Sequence, residues 1–135
     1  MSVTDPAIAP LSPDTVAMVD GQSDELRTYV FDGTSWSQVG NGLAITGVAN
    51  PSLTRLTSNR VAFIHQAGDD LRVYEFDGTN WSLVGNELNI SGVIEPGIAG
   101  LSPNRIAFID DGNGDLRTYD FDGTDWSQVG TDLVI

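Results

Sequence analysis

Asp111, Asn113 and Asp115 stand at alternate positions in Asp110-Asp111-Gly112-Asn113-Gly114-Asp115, the spacing with which an oxygen-rich loop begins to wrap a calcium ion. The corresponding segments Asp20 to Glu25 and His65 to Asp70 do not keep that spacing, and no glutamate closes the loop at its twelfth position. A solvated inter-strand loop is therefore expected, and no metal site. His65 is the only histidine, and the positions matching it hold Asp20 and Asp110, so imidazoles cannot cluster within one chain; it is expected as a loop residue. A serine or threonine nucleophile would need a base and an orienting acid. No Gly-x-Ser-x-Gly or comparable context is present, so neither a catalytic residue nor a cofactor is expected. What remains is aromatic and basic: Arg27, Arg72 and Arg117; Tyr29, Tyr74 and Tyr119; Trp36, Trp81 and Trp126. Aromatic faces beside an arginine fork suit a sugar-binding surface. The same residues suit packing between sheets, with the arginines stacked on aromatics or paired with turn aspartates. Packing is the expectation, and binding residues stay unassigned.

These residues recur because the whole chain does. Phe-Asp-Gly-Thr-x-Trp-Ser occurs at Phe31, Phe76 and Phe121, and the same 45-residue register relates Leu11, Leu56 and Leu101, and Gly40, Gly85 and Gly130. Three such periods fill 135 residues, giving repeats of approximately 1–45, 46–90 and 91–135 in one unit. No window carries a 3.6-residue apolar stripe; each repeat reads as short strands broken by turns, an all-β chain. A first strand follows Pro6, Pro51 or Pro96 and ends near Leu11, Leu56 or Leu101, at a tight Ser-Pro-Asp, Thr-Ser-Asn or Ser-Pro-Asn turn. The second reads Val16–Val19, Val61–Ile64 and Ile106–Ile109, continuous apolar runs that imply burial on both faces. The third alternates, with Arg27, Tyr29 and Phe31 on one face and Leu26, Thr28 and Val30 on the other. Asp32-Gly33-Thr34 and its copies turn the chain into a fourth strand around Trp36 to Val39, and Ala44 to Asn50 then leads to the next unit.

An apolar strand, then Leu-Arg-x-Tyr-x-Phe-Asp-Gly, then a Trp opening the last strand resembles kelch-type and lectin-type β-propeller repeats over the whole chain. The Gly-Gly pair of kelch repeats and the Trp-Asp dipeptide of WD40 repeats are absent, so the resemblance implies the superfold: three four-stranded antiparallel blades. Leu71-Arg72-Val73-Tyr74-Glu75-Phe76-Asp77-Gly78-Thr79-Asn80-Trp81 also resembles the second half of a fucose-binding propeller lectin repeat. In that family a sugar-coordinating Arg lies in the preceding strand and a Glu in the later one. Here those positions hold Ala17, Ala62 and Ala107, and Thr28, Val73 and Thr118. Propellers close with four to eight blades, so three imply a ring completed by something else. If each end blade exposed roughly 500 Å² of apolar surface, leaving it bare would forfeit about 12 kcal/mol of burial. A homodimer of six blades is expected, with a homotrimer of nine as the alternative; excision from a longer propeller fits the sequence equally.

Composition narrows the partners. A formal charge of −13 repels phosphate backbones and anionic membranes, so no nucleic-acid or membrane partner is expected. No stretch approaches the roughly 20 apolar residues of a membrane-spanning helix, and Met1 to Pro10 lacks the pattern of a signal peptide. The absence of cysteine leaves the compartment open. The expected function is thus a non-enzymatic, self-assembling propeller fragment, a structural or protein-interaction scaffold. The alternative is a carbohydrate-binding propeller lectin with sites at blade junctions.

Overall fold

Pro6, Pro51 and Pro96 release the chain into β1 (Ala7–Ser12), β5 (Ser52–Thr57) and β9 (Gly97–Ser102). The computed structural model describes residues 2–135, and Met1, which opens the first repeat, lies outside the described residues. Tight turns lead back through β2 (Thr15–Asp20), β6 (Arg60–Ile64) and β10 (Arg105–Ile109), and acidic loops then enter β3 (Glu25–Phe31), β7 (Asp70–Phe76) and β11 (Asp115–Phe121). The outer strands are β4 (Trp36–Ala44) and β8 (Trp81–Asn89), and in the third sheet a split pair, β12 (Trp126–Gln128) and β13 (Leu133–Val134). Each sheet is an antiparallel meander, β1-β2-β3-β4, β5-β6-β7-β8 and β9-β10-β11-β12, with β13 also pairing β11. These are three β-propeller blades. No helix among the described residues is long and apolar enough to cross a membrane.

The turn into each outer strand is built by its aspartate. The Asp32 carboxylate accepts the backbone N–H groups of Thr34 and Ser35, each at 2.8 Å, and Asp77 and Asp122 repeat the arrangement. Those bonds, from residue 35 first and then 34 and from their counterparts, hold all three carboxyls below the ordinary carboxylate range.

The outer strands run further than the sequence suggests, reaching Ala44 and Asn89 where a connecting segment was expected. A glycine bulge makes this possible. Thr28 pairs with Val39 and Leu26 with Leu43, so Gly40, Asn41 and Gly42 together stand opposite Arg27. Gly85 does the same in the second blade. Both glycines have positive φ, +67° and +68°, which an L side chain adopts only with strain. In the third blade the bulge at Gly130 divides the strand into β12 and β13.

The core lies between sheets. One cluster joins Ala9, Leu11, Ala17, Val19 and Leu26 of the first blade to Val61, Phe63, Tyr74 and Trp81 of the second. The other joins Ala62, Ile64, Leu71 and Val73 of the second blade to Ile106, Phe108, Tyr119 and Trp126 of the third. The middle blade alone is covered on both faces, so Val61–Ile64 is buried throughout, as its apolar run requires, while the matching strands of the outer blades are not.

Candidate functional site at the blade seams

Each seam is built from one repeated set of contacts. The tryptophan opening the outer strand stacks at 5.1–5.2 Å on the phenylalanine opposite it and faces the preceding blade. Trp81 and Trp126 are 4% and 5% exposed, whereas Trp36, with no blade before it, is 54% exposed. Trp81 Nε1 donates to Thr28 Oγ1 at 2.9 Å across the first seam. In the second seam Val73 replaces the threonine, and Trp126 Nε1 is left buried without a partner. A second contact lies at the bulge: Asn41 N donates to the Thr79 carbonyl at 2.7 Å, and Asn86 N to that of Thr124 at 2.6 Å. Asn41 Nδ2 reaches Asn80 Oδ1 and Asn86 Nδ2 reaches Asp125 Oδ1 beside them. A Cβ on Gly40 or Gly85 would collide with the same carbonyls, while Gly130 has open space around it.

The arginines sit at the rim of these seams. They pair not with the turn aspartates, as the sequence suggested, but with acids two residues earlier on their own strand. Arg27 meets Glu25 at 2.6 Å, Arg72 meets Asp70 at 3.3 Å, and Arg117 meets Asp115 at 2.9 Å. Alternation explains the choice, since residues i and i+2 share a strand face. Arg72 also meets Glu87 at 3.3 Å and Arg117 meets Asp132 at 3.6 Å. Hydrogen bonding to Tyr119 first, and the pairing with Asp115 against the cost of burial, push the Arg117 guanidinium above its ordinary range. Of the positions that the fucose-lectin resemblance singled out, Ala17, Ala62, Thr28 and Val73 are wholly buried inside the two seams, where a sugar cannot reach them, while Ala107 and Thr118 on the third blade are half-buried.

A cleft of about 370 Å³ does open at the junction of the second and third blades, where Asn89 and Ser91 face Asn113, Arg117, Tyr119 and Gln128. Its Asn89, Ser91 and Gln128 escaped the sequence reading, because polar residues on an outer strand look like ordinary solvated positions. At the first junction Asn89, Asn113 and Gln128 are matched by Ala44, Gly68 and Leu83, so the three amides are lost, while Thr46 keeps the hydroxyl of Ser91.

Asp111, Asn113 and Asp115 do not converge. The Asn113 amide donates to Asp110, Asp115 turns to Arg117, and no metal-holding group of acids or histidines occurs among the described residues. Asp20 and Asp110 cap their own loops: Asp20 accepts the backbone N–H groups of Gln22 and Ser23 at 2.8 Å, and Asp110 that of Asn113 at 3.1 Å. His65 lies in the loop just after β6, as expected, but it is buried there. It is 1% exposed, stacks on Phe63 at 5.1 Å and has neither ring nitrogen hydrogen-bonded. Burial, followed by the nearby Arg72, lowers its pKa against the opposing pull of Asp70, Asp24 and Asp69.

No known protein family and no curated protein matches the chain. Solved structures do. A protein from Lactobacillus plantarum superposes with a TM-score of 0.69 at 20% identity over 100% of this chain and 43% of its own. The fucose-specific lectin of Aleuria aurantia, described as a six-bladed β-propeller, gives 0.60 at 18% identity over 96% of this chain and 47% of its own. A nidogen/laminin complex gives 0.62 at 16% identity over 90% and 46%. The likeness establishes the propeller fold, and the chain spans a little under half the length of each of these structures.

Proposed function

We propose that the chain is a non-enzymatic, carbohydrate-binding propeller module, residues 1–135 acting as one unit with its saccharide cleft at a blade junction. The observation that carries the reading is the cleft between the second and third blades. It has room for one or two sugar rings, it is lined by amides, a hydroxyl and a guanidinium, and Tyr119 stands beside it. Such an edge matches hydroxyl groups that both donate and accept. The fold it shares with a fucose-specific lectin supports the class, whereas the closed seam positions disfavour that lectin's mode of coordination. Titration calorimetry against a panel of neutral monosaccharides at millimolar concentration should find a ligand. The double substitution Asn113→Ala and Gln128→Ala should weaken that ligand at least about tenfold, the loss of one to two hydrogen bonds. Binding untouched by the substitution, or no binding across the panel, would sink the proposal.

A second reading, a self-assembling scaffold, is favoured by the unequal exposure of equivalent residues. Val3, Ile8 and Trp36 at one end and Leu101, Ile109, Leu116 and Ile135 at the other are exposed, while their counterparts inside the two seams are buried or half-buried. Patches of this kind mark association surfaces in soluble proteins. Three blades span about half of a six-bladed neighbour, so the ring would be a homodimer, with a homotrimer of nine blades as the alternative. Sedimentation velocity without saccharide should show one assembled species. The two readings are compatible, since assembly sets the architecture and the cleft sets the ligand.

A further inference from the structure

The end faces are not merely apolar; each holds one half of the joint that the two internal seams already display. At its first blade the chain offers an exposed Trp36, a Thr34 carbonyl at a turn tip and Val3 on the segment leading to β1. At its third blade it offers the matching receptors. Thr118 stands where Thr28 accepts the Trp81 indole. Gly130 leaves open the bulge that elsewhere receives the turn carbonyls of Thr79 and Thr124. A cleft of about 380 Å³ beside Ile109, Gly114 and Ile135 lies where Val48 and Val93 fill the internal seams. Val3 is 57% exposed against 6% and 2% for those two valines.

We propose that the occupant of the third blade's open face is the first blade of a second copy of this chain, seated by Trp36 Nε1 on Thr118 Oγ1, by the Thr34 carbonyl at the Gly130 bulge and by Val3 in the cleft beside Ile135. The inference rests on the self-association reading above and adds the joint that performs it. The second copy is argued from complementarity at three places, each of which has a counterpart already occupied within the chain. Each blade completes its own outer strand from its own residues, so the joint needs no exchanged strand and forms by packing faces together. Two such joints, head to tail, close a two-fold ring. The closing seam also resembles the first seam more than the second, because its tryptophan meets a threonine and not a valine.

The test exploits the absence of cysteine. Ser35 and Thr131 are both exposed, and they occupy the places whose counterparts, Asn80 and Asn41, lie in hydrogen-bonding contact. The full chain carrying Ser35→Cys and Thr131→Cys should be joined by a short bis-maleimide into covalent dimers, while either single variant should give little product. Trp36 emission in the wild-type chain should shift to the blue as concentration rises, because Trp81 and Trp126 are already buried. Assembly at unchanged mass with no cross-link and no emission shift would overturn this joint while leaving self-association standing. A chain that stays monomeric at all concentrations would overturn both.

Discussion

At the scale of single residues, the chain carries two local mismatches with its own repeat. Trp126 has lost the hydroxyl that Thr28 gives Trp81, leaving a buried N–H without a partner. Val73→Thr should restore it and stabilise the protein by about 1 kcal/mol, raising the melting temperature by about 3 °C; unchanged or lower stability in thermal denaturation would contradict the assignment. His65 is the other mismatch. Its folded pKa lies below the ordinary 6.5 because burial disfavours the imidazolium. The unfolded chain therefore binds the proton more readily, so this contribution to stability is fully present above about pH 6.5 and declines as pH falls below it. Melting temperature measured from pH 7.5 to 5 should drop for the wild type. It should drop less for His65→Asn, which keeps an acceptor oxygen where Asp20 and Asp110 use one and cannot titrate. The repeat register shows that positions 65 and 73 differ from their counterparts, but only packing shows that His65 is buried and that Val73 leaves Trp126 without an acceptor.

At the scale of elements, the four-strand meander was legible because apolar runs, alternation and Asp-Gly turns each speak for themselves locally. The extent of β4 and β8 was not, because the signal that continues them is a glycine, which on its own reads as a strand end. Its placement in the middle of an otherwise strand-like run, at Gly40, Gly85 and Gly130, was the available clue to a bulge. The bulge is also where blades lock, and this gives an asymmetric prediction. Gly85→Ala forces a positive φ on alanine and drives its Cβ into the Thr124 carbonyl, costing about 2 kcal/mol or more. Gly130→Ala keeps the strain, φ +74°, but meets no neighbour within the chain. Its larger effect should fall on association and not on the unfolding of the isolated chain. Equal unfolding penalties in urea titrations of the two variants would contradict this account of the bulge.

At the scale of the whole molecule, the proposed assembly would have to overcome charge. Each copy carries a formal −13, and like-charged copies repel over about a Debye length. Added salt should therefore tighten association, by raising the on-rate most strongly; weakening by salt would indicate a joint held by ion pairs, which the apolar end faces do not offer. The repeat made the expectation of a partner readable, since equivalent positions lead one to expect equivalent surroundings. Which residues meet across the closing seam required the internal seams as templates. The most direct test is native mass spectrometry of the purified full chain across a dilution series, because it counts subunits. Two copies of the 14.4 kDa chain, separating into single chains only at the dilute end of the series, is the predicted result. Three copies would replace the six-bladed ring with one of nine blades, and a folded single chain at every concentration would contradict the claim that the open end faces exist to meet each other.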